Sequence, residues 1–523
     1  MGQFKFDKKD IDQIKKIGLT KKQVYSQISI FQQGTPYVTL NRPCIVGDGI
    51  KRFTPDIIKQ SLYSYTQKAL KKQLVKFVPA SGAASRMFNT LISANNTCRH
   101  SQRSKQEQPS NNSRSNKDLL ELMENFNRLA FFEDIKASLS KKKLDAESLI
   151  KAGDFHQILN MLLTDQGLNL PALPKGLIKF HSYGDHARTA FEEHIVEADG
   201  YVKTQTNDCN LHFTVSSLHY DKFNAIYHKI KGTYAHQFNA NFHVSFSVQK
   251  DDTNTIAVDL DNRPYRLADG SLFFRPGGHG ALIDNLNQLD TDIVFIKNID
   301  NVAHDRFKTE MIEWKKILCG HLIHLQERIF NFLIALQKNP VTPELVQSAS
   351  ELIKKELCIH LPENGKADSL EEKRATLVHL LNRPLRVCGM VPNVKEPGGG
   401  PFWVEDKKGN LSIQIIETSQ INPDDHHQQN ILQDLTHFNP VDIVCGLKDF
   451  CGNPFDLSKY VDDQAVFIAH KVENGKDLKA LEHPGLWNGS MAYWNTVFVE
   501  VPLITFNPVK QFTDLLRETH QPG

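Results

Sequence analysis

Four short stretches carry residues able to do chemistry on phosphates. Lys76–Phe88, KFVPASGAASRMF, runs an apolar strand into Ser81, Gly82, Ala83, Ala84 and Ser85 and then places Arg86. Small side chains after a strand let backbone amides approach an oxyanion, and a following helix start adds a favourable dipole. Ala80, Ser81, Gly82 and Ala83 are therefore candidates to hold a nucleotide. No Gly-Lys-Ser/Thr follows, as a P-loop requires, and the glycine spacing is not that of a dinucleotide fingerprint. A plain strand-to-helix turn reads these residues equally well. Lys175 stands between Pro174 and Gly176, a rigid placing for a point charge that meets phosphate, although a lysine beside proline is usually just solvated. Pro276, Gly277, Gly278, His279 and Gly280 follow a hydrophobic run, and bare glycines let the main chain lie against a flat ligand and read a base edge. Asp300 ends the apolar strand of DIVFIKNID, where α/β folds place metal and ligand groups and where an aspartate also serves as a simple cap.

Elements must position these residues, and the pattern supplies them. Residues 10–72 read as helical, with a Thr20/Gln23 capping box, Gly34 as a stop and Thr54-Pro55 opening a further helix. Short β-rich runs then recur at Leu74–Val78, Leu211–Ser216, His243–Val248, Ile293–Lys297, Arg386–Val391, Ala465–His470 and Thr496–Val501. Helical stretches are expected around 119–135, 186–198, 219–230, 305–338 and 343–357. The alternation predicts an α/β fold: a mixed, mostly parallel central sheet flanked by helices. The expected division is a helical region 1–72, a core 73–318 with an insertion 95–118, a helical bridge 319–380 and an α/β part 381–523 that completes the core. Arg99–Asn116 lacks aromatic and aliphatic residues and reads as a mobile polar loop.

The 523 residues are 40% hydrophobic and 23% charged, an ordinary globular composition, and 62 Lys+Arg against 60 Asp+Glu leave a net charge of +2. That balance argues against nucleic acid and membrane surfaces as partners. The N-terminus has no apolar signal-peptide region, and no run approaches the ~18 apolar residues of a membrane span. A cytoplasmic protein is expected, its eight cysteines reduced and buried. No histidine or cysteine spacing favours a metal site.

The order of the chemical segments resembles that of the UDP-sugar pyrophosphorylase superfamily, nucleotidyltransferases of the GT-A type. Those proteins carry a small-residue loop ending in arginine, Pro-Lys-Gly, a Pro-x-Gly-x-Gly base loop, an Asn-x-Asp-Asn strand end and a late Asn-Pro-Val-Lys-like segment. Here the counterparts are Ser85-Arg86, Pro174-Lys175-Gly176, Pro276–Gly280, Asn298-Ile299-Asp300-Asn301 and Asn507-Pro508-Val509-Lys510. The chain is also similar to an uncharacterised bacterial family on this scaffold. The resemblance implies that a sugar 1-phosphate attacks the α-phosphorus of a nucleoside triphosphate, UTP by default, and expels pyrophosphate. By the same resemblance Arg86 meets the β- and γ-phosphates, Lys175 the α-phosphate and Lys510 the sugar phosphate. Asp300 binds Mg²⁺, the 276–280 turn holds the base, and Asn298 or Asn301 bonds the sugar. Two further segments are candidates for the sugar side. Gly399 belongs to a glycine run that either closes over the sugar or forms a surface hairpin, and Glu417 follows an apolar strand. The clustered Trp487 and Trp494 read as core more readily than as a sugar platform. Ser81 and Ala84 replace two glycines of the family loop, and about 90 residues separate Arg86 from Lys175. A nucleotide- or sugar-binding protein without turnover is the alternative.

Overall fold

Runs of apolar residues buried on both faces become the inner strands of one large sheet. The computed structural model describes all residues except 1–3, 104–123, 361–368, 395–397, 407, 408 and 474, and for 97–103 the backbone alone. The sheet strands are β1 (Ile45–Val46), β2 (Gly49–Lys51), β3 (Leu74–Pro79), β4 (Asp208–Val215), β5 (Asn241–Val248), β6 (Ile293–Ile296), β7 (Leu385–Met390), β8 (Asp442–Gly446) and β9 (Asn495–Glu500). Their order is β1-β2-β9-β7-β8-β6-β3-β4-β5. Neighbours run parallel at β1/β2, β2/β9, β9/β7 and β6/β3, whereas β8 is antiparallel to both β7 and β6. The fold is α/β with a mixed, mostly parallel sheet. All seven predicted strands are present, six of them in this sheet and the seventh, Phe467–Glu473, in a four-stranded sheet with Phe274–Pro276, Asn254–Val258 and Lys476–Glu482.

Four expectations need correction. Residues 10–72 are not helical throughout: helices Lys8–Lys16, Lys21–Gln33 and Pro55–Lys68 are separated by the strands Leu40–Pro43, β1 and β2. Gly34, at φ +91°, stops the second helix, and β-branched and proline-punctuated sequence takes over. The stretch 186–198 begins as the strand Ala187–Thr189 before the helix Ala190–Asp199, which Thr189 and Glu192 cap reciprocally. The run Arg99–Asn116 starts inside the helix Asn89–Arg103 and otherwise lies outside the described residues. Of the cysteines, Cys44, Cys209, Cys319, Cys388 and Cys445 are buried, but Cys358 is half-buried and Cys451 exposed.

The chain divides into two compact units. The first is Met1–Phe77, Ser247–Ile296 and Lys315–Leu503; the second is Val78–Phe246, Lys297–Trp314 and Ile504–Gly523. The first has its core around Phe77, Val294, Ile296, Cys388, Met390, Ile443 and Phe498. In the second, aromatic rings pack edge to face, as Phe191 does on Phe213 at 4.7 Å and on Phe223 at 5.3 Å. The described helices include none long and apolar enough to cross a membrane.

Candidate functional site

The second unit gathers four distant segments. As β3 ends, the Ala80 N–H donates to the Thr214 carbonyl at 2.8 Å. The loop then pairs with the lysine turn: Ala84 N–H donates to Leu173 O, and Lys175 N–H to Gly82 O, each at 3.0 Å. The N–H groups of Ser81, Gly82 and Ala83 make no hydrogen bond to any described residue, and all three residues are exposed. A Cβ on Gly82 would meet nothing within 4 Å, so the space before these amides is open. The short helix Ser85–Phe88 then anchors the turn through buried Met87 and Phe88. Arg86, by contrast, is exposed and forms no ion pair with another described residue.

Lys175 is the hub. Its Nζ donates to Asp300 Oδ2 and to the Val509 carbonyl, each at 2.8 Å. The Lys175 and Asp300 side chains are 15% and 20% exposed, so water screens the pair only in part. Val509 N–H returns a bond to the Asp300 carbonyl at 3.1 Å. Lys510 follows at once, half-buried, with its N–H on Asp514 Oδ2 at 2.7 Å and its ammonium 5.8 Å from the centre of the Phe506 ring. Asn301 is the clamp that fixes this return. It is 2% exposed, its Nδ2 donates to Thr505 O at 3.1 Å, and its Oδ1 accepts the Asn507 N–H at 2.8 Å. Asn298 is half-buried and accepts the Asn301 N–H on its carbonyl at 3.1 Å.

A single carboxylate suits Mg²⁺, which keeps several waters and takes its other ligands from substrate phosphates. Asp300 fits that part, with Lys175 as the cation it faces meanwhile. No group of three or more His, Cys, Asp or Glu able to hold a metal occurs among the described residues.

The remaining candidates lie in the first unit. Gly278 has φ +78°, and a Cβ there would stand 2.9 Å from Glu482 Oε2. A Cβ on Gly277 would overlap the His483 ring, and one on Gly280 the Pro484 carbonyl. The bareness of this turn is thus required first by the chain's own 482–484 segment. His279 accepts the Leu486 N–H on Nδ1 at 2.9 Å, and its ring stacks on Trp487 with centroids 4.5 Å apart and planes at 22°. Burial pushes this imidazole down to about 4. Gly399 packs against the Ile416 carbonyl, and Glu417 accepts from Asn439 Nδ2 at 3.2 Å. Trp403 and Trp494 are core, whereas Trp487 is half-buried.

Sequence reasoning missed a polar cluster in the second unit. His181 bonds Glu193 through Nδ1 at 2.9 Å and His520 through Nε2 at 2.8 Å. Glu193 also receives Lys308 and, at 2.8 Å, the Tyr183 hydroxyl. Arg188 donates to Asp305 at 2.8 Å and lies over the Tyr183 ring. The cations hold the Glu193 carboxyl well below its usual range despite complete burial, and desolvation holds His520 down at about 3. No spacing announces this cluster, because its members come from segments more than one hundred residues apart.

Likeness to solved structures is distant. A variant of the Leishmania major UDP-glucose pyrophosphorylase in complex with UDP-glucose is 11% identical with a TM-score of 0.43, over 97% of this chain and 77% of that one. A Trypanosoma brucei UDP-glucose phosphorylase is 13% identical at TM-score 0.43, over 98% and 80%. A Trypanosoma brucei uridine diphosphate N-acetylglucosamine pyrophosphorylase in complex with inhibitor is 11% identical at 0.45, over 94% and 74%. No curated protein matches. The domain of unknown function DUF4301 matches residues 7–521, which span the small-residue loop, the Lys175–Asp300 pair and the return through Lys510, and the chain belongs to that family.

Proposed function

We propose that the protein is a nucleotidyltransferase that joins a sugar 1-phosphate to a nucleoside triphosphate, with UTP as the first donor to try, and releases pyrophosphate. One observation carries the reading. Three successive N–H groups without partners among the described residues, at exposed Ser81, Gly82 and Ala83, belong to a loop bonded directly to the Lys175 turn. Amides so arranged suit an anion, and the Lys175 ammonium, with Lys510 next in sequence to the Val509 whose carbonyl it binds, supplies cations of the same use.

The chemistry asks mainly for alignment and charge neutralisation. The loop amides would hold the triphosphate, Arg86 would fold onto its leaving end, and Lys175 would turn from Asp300 toward the reacting phosphate. Lys510 would hold the sugar phosphate. Asp300, released from Lys175, would carry Mg²⁺, which when bound supplies further neutralisation of phosphate charge. The Pro276–Gly280 turn would take the base, while Asn298, Gly399 and Glu417 remain candidates for the sugar. Asn301 serves the site by fixing the 505–507 backbone.

A binding protein without turnover is the second reading, and the Lys175–Asp300 pair favours it: two groups assigned to different ligands neutralise each other at 2.8 Å. Thermal melts with each triphosphate and Mg²⁺ test binding, since a ligand of the folded state raises the midpoint. Pyrophosphate release across sugar 1-phosphates then tests turnover. Stabilisation by one triphosphate with release is expected; stabilisation without release leaves a nucleotide binder, and no stabilisation by any triphosphate removes both the transferase and the nucleotide binder.

A further inference from the structure

The core keeps an arginine that has no counter-ion among the described residues. Arg386 is the second residue of β7, a strand buried at all six positions, and is itself 0% exposed. Its Nε donates to Thr496 Oγ1 at 2.9 Å and its Nη1 to the Trp487 carbonyl at 2.6 Å. Nη2 is buried without a partner, and no described carboxylate pairs with the guanidinium. Desolvation lowers its pKa. Taking such a charge out of water unpaired costs several kcal/mol, which Leu, Val or Met at this position would avoid.

What the charge achieves is visible one segment away. Charge-assisted hydrogen bonds are roughly twice as strong as neutral ones, so Arg386 holds the Trp487 peptide firmly. The indole of that residue lies against His279, and the N–H of the preceding residue, Leu486, donates to His279 Nδ1. A neutral imidazole that accepts on Nδ1 carries its proton on Nε2. Nε2 makes no hydrogen bond to any described residue, and His279 as a whole is half-buried. Charged or titratable groups at the turn include Glu482, which faces Gly278 and pairs with Lys471 at 3.4 Å, His483, whose Nε2 lies 2.8 Å from the Thr253 carbonyl, and Arg275, which pairs with Glu473 at 3.2 Å.

We propose that Arg386 is a positioning residue for the Pro276–Gly280 turn: by holding the Trp487 peptide it fixes the indole and the Leu486 N–H on His279, and so makes Nε2 a hydrogen-bond donor toward an acceptor atom of the bound nucleotide. Only the last step rests on the nucleotide reading.

The test follows tryptophan fluorescence between pH 5 and 8 without ligand, since a protonated imidazole quenches an indole stacked on it. His279 stays neutral across this range in the wild type, which shows no transition from it. Arg386→Met replaces a buried charge by an apolar chain of similar length, so its melting midpoint is expected to be unchanged or raised. With the turn loosened, His279 moves toward the ordinary value of about 6.5 and a quenching transition appears there. It disappears in the double variant Arg386→Met/His279→Gln, which isolates it from the other tryptophans. Arg386→Lys keeps the charge without the fork to Thr496 and Trp487 and is expected to behave like Arg386→Met. UTP affinity of Arg386→Met falls about tenfold at pH 7.5, with a variant-to-wild-type ratio that bends near pH 6.5 and cancels the ionisation of the ligand. Traces that coincide with the wild type in both Arg386 variants overturn the proposal whether or not UTP binds. A transition in the variants alongside a wild type that binds no UTP supports the positioning of His279 and removes only the nucleotide reading.

Discussion

Lys175→Ala separates a structural cation from a reactive one. At 2.8 Å the attraction between Lys175 and Asp300 is about 6 kcal/mol for an effective dielectric constant of ~20. Desolvation of two side chains that are 15% and 20% exposed returns most of it, leaving a net coupling of about 2 kcal/mol. Urea unfolding of Lys175→Ala, Asp300→Ala and the double variant measures that coupling: each single change is expected to cost about 2 kcal/mol, and the double change less than their sum. Turnover is read from pyrophosphate release on the same four proteins. Loss of one preorganised donor in a phosphoryl-type transfer costs at least ~10² in rate, or about 2.7 kcal/mol. The double variant is then expected to recover part of the stability and none of the rate. If Lys175 only held the fold, rate would return with stability in the double variant. A folded Lys175→Ala protein with turnover within about threefold of the wild type would refute the assignment, since no group removed from a reacting phosphate leaves the rate so nearly intact.

Further outcomes follow from the same contacts. Arg86→Ala should leave stability within ~0.5 kcal/mol, because the side chain is exposed, while turnover drops at least ~10²; paired melts and kinetics decide it. Asn301→Ala strips partners from two buried backbone groups and should cost about 2–3 kcal/mol in urea unfolding, whereas half-buried Asn298→Ala should cost under about 1. Gly280→Ala, whose Cβ would strike the Pro484 carbonyl, should lose about 3 kcal/mol or more, while Gly82→Ala, with open space, should hold or gain up to about 1 kcal/mol and weaken triphosphate binding. Stability should fall on acidification from about pH 6.5 toward 3. His520 is held neutral down to about 3 while the unfolded chain takes up its proton near 6.5, so up to ~1.4 kcal/mol is lost per pH unit, and His520→Gln should flatten that slope.

The strands were legible because burial on both faces leaves a continuous apolar signature. β6 reads as such a run, and so does β7 apart from Arg386. The strands of 40–51 were not, since Leu40–Pro43, Ile45–Val46 and Gly49–Lys51 are too short to show a period and follow two well-capped helices. The small-residue loop and Lys175 stood out through the order of the segments rather than by themselves, and Lys175 N–H donates to the Gly82 carbonyl. Their side-chain geometry was not. Nothing in Pro174-Lys175-Gly176 foretells that the ammonium bonds Asp300, because that depends on where a strand 125 residues later ends. The glycines of 277–280 illustrate the converse. Their types were read as room for a flat ligand to lie against the main chain, yet the nearest thing approaching is the chain itself at 482–484.

The route by which the last segment reaches the site has a consequence for how variation is tolerated there. Residues 505–510 are held mainly through main-chain groups: Asn301 binds the Thr505 carbonyl and the Asn507 N–H, Lys175 the Val509 carbonyl, and the Asp300 carbonyl the Val509 N–H. Backbone groups are the same whatever side chain a residue carries. The side chains that grip this backbone from other segments are Lys175 and Asn301, while Thr505, Asn507 and Val509 are buried in their own right and Asn507 Nδ2 donates to the Ile504 carbonyl. Half-buried Lys510 matters to the rate only if its ammonium does chemistry. Exchanging Val509 for Ile, which keeps every one of these backbone bonds, is expected to change stability by less than about 1.5 kcal/mol and turnover hardly at all, whereas Lys510→Met, equally neutral toward the backbone path, should abolish at least ~10² of the rate. Equal rates for the two variants in the pyrophosphate assay would show that the segment contributes its path and nothing more.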